Sequence, residues 1–186
     1  MRLEHITKSY GGKTVLRDVS FSLEQGVTCL MAPSGSGKTT LLRILLGLER
    51  PDKGRIAGAP ARWGVMFQED RLLEELSAME NLRFAVGPAL DEETASALLT
   101  RLGLGGEGEK AVGDYSGGMK RRLALARALL APSEALALDE PFTGLDEENR
   151  AACIAAIREA AQTKPVLLIT HDSDDIAALG ACVIRL

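Results

Sequence analysis

The chain has 186 residues, of which 46% are apolar and 4% aromatic, enough for a single domain whose core is built from Leu, Ala, Val and Ile. A formal net charge of −4 gives it no global electrostatic pull toward nucleic acid. No stretch approaches the roughly 18–20 uninterrupted apolar residues that cross a bilayer, and Met1 to Ile6 lack the apolar core of a leader. Cys29, Cys153 and Cys182 are odd in number and sit in apolar company, so they are expected to be buried small hydrophobes in a reducing compartment.

Residues 1–31 alternate as strands do. After a turn at Gly11-Gly12, Val19, Phe21 and Leu23 share one face while Ser20, Ser22 and Glu24 share the other. Glu24-Gln25-Gly26 turns into a short apolar run, Val27 to Met31, and this leads into Ala32-Pro33-Ser34-Gly35-Ser36-Gly37-Lys38-Thr39-Thr40. Leu41 to Leu48 then follow at helical spacing. Strand, glycine-rich turn and helix in that order form an anion trap, because curled backbone N–H groups and the helix N-terminus converge on one point. Lys38 adds a charge suited to β/γ-phosphates, and the Thr39 hydroxyl suits Mg²⁺. Ala32 occupies the place where the strict G-x-x-x-x-G-K-[ST] pattern has its first glycine.

Two short extended pieces follow, around Gly54 to Ile56 and Trp63 to Phe67. From Glu69 to about Lys110 charged and apolar residues mix at helical periods (Leu72, Leu73, Leu76, Met79, Leu82; then Ala95, Leu98, Leu99, Leu102), which predicts a small helical lobe inserted in an α/β core. Ser116-Gly117-Gly118 opens a further helix, Met119 to Leu130, and is a second anion-binding helix start. Lys120-Arg121-Arg122, just inside it, is read as a solvated helix face or an interface contact. A buried strand, Ala135 to Leu138, ends in Asp139 and Glu140; carboxylates at the end of a parallel strand lie where ligands bind. There Asp139 suits a Mg²⁺ shell and Glu140 can take a proton from an attacking water. A helix from Glu147 to Ala161, a strand from Val166 to Thr170 and a last strand from Ala181 to Leu186 complete the alternation, which predicts a mainly parallel sheet.

Taken together and in this order, these motifs resemble the ATP-binding subunit of ABC transporters, over nearly the whole chain. Tyr10 matches the aromatic that stacks on adenine, Ser34 to Thr40 the Walker A loop, and Gln68 in Val65-Met66-Phe67-Gln68 the glutamine loop. Ser116-Gly117-Gly118 looks like the signature, Asp139 and Glu140 like Walker B, Asp146 in Gly144-Leu145-Asp146 like the D-loop, and His171 like the switch histidine. The resemblance implies an α/β fold. It would have a P-loop NTPase core with a mainly parallel sheet, an N-terminal antiparallel β subdomain and a small inserted α-helical lobe. Residues 1–186 would form one domain, with 1–68 and 132–186 as the RecA-like core and 69–131 as the lobe ending in the signature helix.

The resemblance also implies a mechanism. Two subunits, alike or different, would pack head to tail over two Mg-ATP molecules, Lys38 of one facing Ser116 and Gly118 of the other. Glu140, His171 and Lys38 would be catalytic. Tyr10, Ser34, Gly35, Ser36, Gly37, Lys38, Thr39, Thr40 and Gln68 would hold the nucleotide; Thr39, Gln68 and Asp139 would hold the metal. An integral membrane permease would dock near Glu69 to Asn81, keeping the subunit at the cytoplasmic face of the membrane, and a secreted solute-binding protein is a further implied partner. No nucleic acid is expected.

Met119 and Tyr115 depart from the usual glutamine and leucine flanking the signature glycines. Ser-Gly-Gly-Met, Phe67 to Leu73 and Glu80-Asn81-Leu82 resemble the importer branch for nitrate, sulfonate and taurine. Two other readings stay open at this stage: a soluble ABC ATPase in nucleic-acid maintenance or translation, and a weakly catalytic, nucleotide-responsive subunit.

Overall fold

The computed structural model describes residues 1–31 and 35–186; Ala32, Pro33 and Ser34 lie outside the described residues, and with them the expectations for Ala32 and Ser34. Strands β1 (Arg2–Tyr10), β2 (Lys13–Ser22) and β4 (Lys53–Ala57) form an antiparallel sheet in the order β2-β1-β4. Strands β3 (Gly26–Met31), β5 (Trp63–Met66), β6 (Ala135–Asp139), β7 (Pro165–Ile169) and β8 (Cys182–Arg185) form a second sheet in the order β5-β6-β7-β3-β8, and all its pairings are parallel. Parallel pairing sends every strand's carboxyl end to the same edge, where Met31, Met66, Asp139 and Ile169 hand over to loops.

The central strands of the parallel sheet, β3, β6 and β7, are buried on both faces, and their side chains divide by parity. Cys29, Leu136, Leu138, Val166 and Leu168 belong to one core, and Leu30, Ala137, Leu167 and Ile169 to the other. The second core is closed by α1 (Lys38–Leu45), through Leu41, Leu42, Ile44 and Leu45, and by Leu3, Ile6, Leu16 and Leu23 of the antiparallel layer and the turn after it. Thus α1 is clamped between the two sheets. The first core is closed by α2 (Ala78–Val86), α3 (Glu92–Arg101), α4 (Gly117–Leu130) and α5 (Glu147–Ala161). At Gly64 a Cβ would stand 2.2 Å from the Ala128 carbonyl oxygen, so only glycine lets α4 lie directly on β5.

Two expectations are corrected here, and one helix is added. Despite the helical spacing of their apolar residues, positions 72–76 form no helix; the chain runs irregularly until Ser77 caps α2 with a capping box to Glu80. Buried Asn81 supplies what a helix there would have supplied. Its Oδ1 accepts from Leu73 N at 2.8 Å, and its Nδ2 donates to the carbonyls of Leu73 and Ser77 at 2.9 and 3.0 Å. A helix α6 (Ser173–Leu179), unanticipated from sequence, is capped by Asp172 and stopped by Gly180 in the left-handed region. Cys29 and Cys153 are buried as expected and burial pushes their thiols up, to about 11 and about 12, but Cys182 is exposed on the edge strand β8.

Candidate active site

The loop after β3 enters α1 through Gly35 and Gly37, with φ of 79° and 93°. α1 starts after Gly37 with no side-chain cap hydrogen bond among the described residues, and a helix N-terminus is where anions are held. Lys38, Thr39, Thr40, Gly35 and Gly37 line a cavity of about 390 Å³ together with Gln68 from the end of β5 and Asp139 and Glu140 from the end of β6. Residues more than a hundred positions apart therefore share one crevice, at the edge where the parallel strands end. The Ser36 hydroxyl is buried without a hydrogen-bond partner among the described residues.

Asp139 is 7% exposed, and its carboxyl is raised above the usual range, first by burial and then by the neighbouring Glu140 charge, with Arg121 and Lys38 pulling the other way. A buried carboxylate in this state gains from a nearby cation. The Thr39 hydroxyl and Gln68 amide line the same cavity, so the donors on offer are hard oxygens from few carboxylates, which suits Mg²⁺ held mainly through phosphates.

Glu140 is one of four non-glycine residues with positive φ among those described, at 49°. Its N–H donates to the Ile169 carbonyl at 2.8 Å, tying the β6 exit to the end of β7. His171, the first residue past Thr170, meets Glu140 there: Nδ1 lies 2.9 Å from Oε1. That hydrogen bond, with the carboxylate's charge, raises the imidazole's pKa. Behind them Thr170 is buried and donates to Asp175 at 3.3 Å, and Asp175 accepts from Arg150 Nε at 2.7 Å. The turn carrying His171 is thereby anchored to α5 and α6.

Of the remaining sequence-predicted residues, Tyr10 sits beside Thr40 at the rim of this crevice, while Ser116, Gly117, Gly118 and Asp146 do not line it. Tyr10 is half-exposed, its hydroxyl donates to Glu49, and Lys8 Nζ lies 5.4 Å from its ring centre. Ser116 caps α4, accepting from Met119 N at 3.2 Å, and Ser116 and Gly117 are exposed. None of residues 116–118 lines the cavity around Lys38. Asp146 caps α5 by accepting from Asn149 N at 2.9 Å, a bond that lowers its carboxyl's pKa. A Cβ at Gly118 would come within 3.4 Å of the Gly144 carbonyl oxygen, so this turn packs against the start of α4.

The family description "ABC transporter" matches residues 16–143. The aliphatic sulfonates import ATP-binding protein SsuB 2 of Burkholderia lata is 37% identical over 190 residues, covering 96% of this chain and 70% of its own length. SsuB 1 of Rhodococcus jostii is 39% identical over 185 residues, covering 95% and 75%. The chain belongs to the ABC transporter family. A solved ATP-binding subunit of an ABC transporter superposes over 100% of this chain and 85% of its own, with a TM-score of 0.89 at 25% identity. The dimeric bacterial ABC transporter cassette MJ0796 covers 100% and 93%, with a TM-score of 0.83 at 26% identity.

In this ABC ATPase subunit the basic residues that follow Ser116-Gly117-Gly118 do not share the solvated face expected of them. Arg121 and Arg122 are 5% and 7% exposed, so they form no solvated face. Arg122 Nη1 donates to the carbonyls of Leu102 and Gly103, at 2.5 and 2.8 Å, where the chain leaves α3. Arg121 donates into the strand exits around the crevice. Lys120 alone reaches toward the surface, pairing with Glu74 at 2.8 Å.

Proposed function

We propose that the chain, one ABC-type ATP-binding domain over residues 1–186, is the ATP-hydrolysing motor of an importer and works as half of a head-to-tail pair at the cytoplasmic face of a membrane permease. The observation that carries the chemistry is the Glu140–His171 pair, 2.9 Å apart, beside the crevice shared by Lys38, Gln68 and Asp139. Lys38 and the start of α1 neutralise charge that builds on the phosphoryl oxygens as water bonds to the γ-phosphorus and its bond to the departing ADP breaks. Glu140 takes the proton of the attacking water, and His171 holds that carboxylate while its outward nitrogen faces the terminal phosphate. Thr39, Gln68 and Asp139 would hold Mg²⁺, which supplies further charge neutralisation on the β- and γ-oxygens when bound. Tyr10 stacks on adenine, and Ser36 and Thr40 donate to the phosphates with the backbone of Gly35 and Gly37.

Ser116, Gly117 and Gly118 complete the partner's site, a role supported by the exposure of Ser116 and Gly117 and by the absence of all three from the chain's own crevice. Asp146 steadies that interface. Residues 69–81 receive the permease, and the relatives' names make aliphatic sulfonates the solute class to assay first. No helix among the described residues is long and apolar enough to cross a membrane, so attachment through the permease carries the localisation we propose. Glu140→Gln is expected to cut steady phosphate release about 10²–10⁴-fold while ATP still binds. Unchanged release overturns the assignment.

A further inference from the structure

Arg121 sits five residues past Ser116 on α4 and is nearly as buried as a core leucine, at 5% exposure. Its partners are unusual for a buried arginine. Only one is charged, Asp70, whose Oδ1 lies 2.7 Å from Nη1. The others are four backbone carbonyls, two from each of two neighbouring strand exits. Nη1 donates to Phe67 O at 3.1 Å and to Gln68 O at 2.9 Å, just past β5. Nη2 donates to Asp139 O and to Glu140 O at 2.5 Å each, and Nε donates again to Glu140 O at 3.0 Å.

One planar fork thus holds the two turns that present Gln68, Asp139 and Glu140 to the crevice. Its strongest grip falls on Glu140, whose left-handed backbone is uncommon for a side chain of that size. The same helix repeats the device six residues on. Arg127 donates to the carbonyls of Asp70 and Arg71, each at 2.6 Å, and Arg71 also has a positive φ, of 49°. Both non-glycine residues with left-handed backbone in these two exits therefore have their carbonyls caught by arginines of α4.

We infer that Arg121 is a positioning residue for hydrolysis: it sets the backbone from which Glu140 reaches the attacking water and joins that backbone, with Gln68, to the helix that begins at Ser116. The inference rests on the function proposed above. A shorter or non-forked side chain leaves carbonyls of both exits without their donor, and Glu140 then samples orientations that do not meet the water.

A double-mutant cycle on the full chain tests this, reading phosphate release, equilibrium ATP binding and thermal unfolding. Arg121→Gln alone is expected to lower kcat about 10–100-fold, with ATP affinity changed less than about threefold. In the Glu140→Gln background the same substitution is expected to change kcat by less than about twofold, because the group it positions is gone. If the two substitutions multiply, or if ATP affinity and kcat fall together, the inference is overturned and Arg121 is a packing residue. If Glu140→Gln by itself leaves turnover intact, the function proposed above fails, independently of Arg121. Should Arg121→Gln not yield folded protein, Arg121→Lys, which keeps the charge without the fork, is read in the same cycle with the same two outcomes.

Discussion

Two helices of this chain begin at glycine-flanked turns, and they begin differently. α1 follows Gly37 in the left-handed region and has no side-chain cap, and it opens directly on the crevice that holds Asp139 and Glu140. α4 follows Ser116 in extended conformation, its first turn is closed by the serine oxygen on Met119 N, and it lines no part of that crevice. A helix start that leaves its donors open attracts an anion on its own account. One whose serine is already accepting keeps only its O–H and the flanking backbone for an anion brought from elsewhere. In the function proposed above, the first is the working half of the chain's own site, and the second completes a site on a partner subunit.

Of the changes at the two helix starts, removing the α1 charge has the largest expected effect: Lys38→Ala should lower phosphate release by about 10²–10³-fold, as loss of a donor to a developing phosphoryl charge does. A mutant that turned over normally would make the two helix starts equivalent. Mixing inactive Lys38→Ala with inactive Ser116→Ala subunits sharpens the contrast. Random pairing rebuilds one intact site in about half of the dimers, so roughly a quarter of wild-type release should return; no recovery would mean that each chain's site is complete without the other.

Gly37→Ala should destabilise the fold by roughly 1–3 kcal/mol in denaturant titration. Its backbone has φ of 93°, and the added Cβ would meet Leu16 Cδ2 and Val15 Cγ1 at 2.8 Å. The smallest effect on stability belongs to the cap. Ser116→Ala should cost about 1 kcal/mol, a fall in Tm of about 2–4 °C for a chain of this length. A loss as large as that for Gly37→Ala would show that Ser116 does more within its own subunit than cap α4.

The elements that face the crevice were legible because their signals are local. Alternation marks β2, a continuous apolar run marks β6, and glycines with a lysine mark the turn into α1, each within a few neighbouring residues. Where local signals mislead, a distant or unexpected partner has taken over. Leu72, Leu73 and Leu76 have helical spacing, yet a single buried amide, Asn81, bonds the backbone there and removes the need for a helix. Helix α6 had its signals, Asp172 before it and Gly180 after it, but its seven residues offer little apolar periodicity to notice. Cys182 sits in apolar company, but β8 is an edge strand, and that position is decided by strand order alone.

What the sequence determined by itself is therefore the kind of chemistry its residue types suit, phosphate binding, a hard cation and proton transfer, each at the end of an element whose pattern is readable. What only the tertiary structure decided is their mutual placement, above all the conversion of Arg121 from an apparent surface charge into a buried clamp. Its four carbonyl partners lie 18, 19, 53 and 54 residues away. Every residue has a carbonyl, so no pattern of side chains announces which of them an arginine will find; the parallel order of β5 and β6 beneath α4 brings these four together.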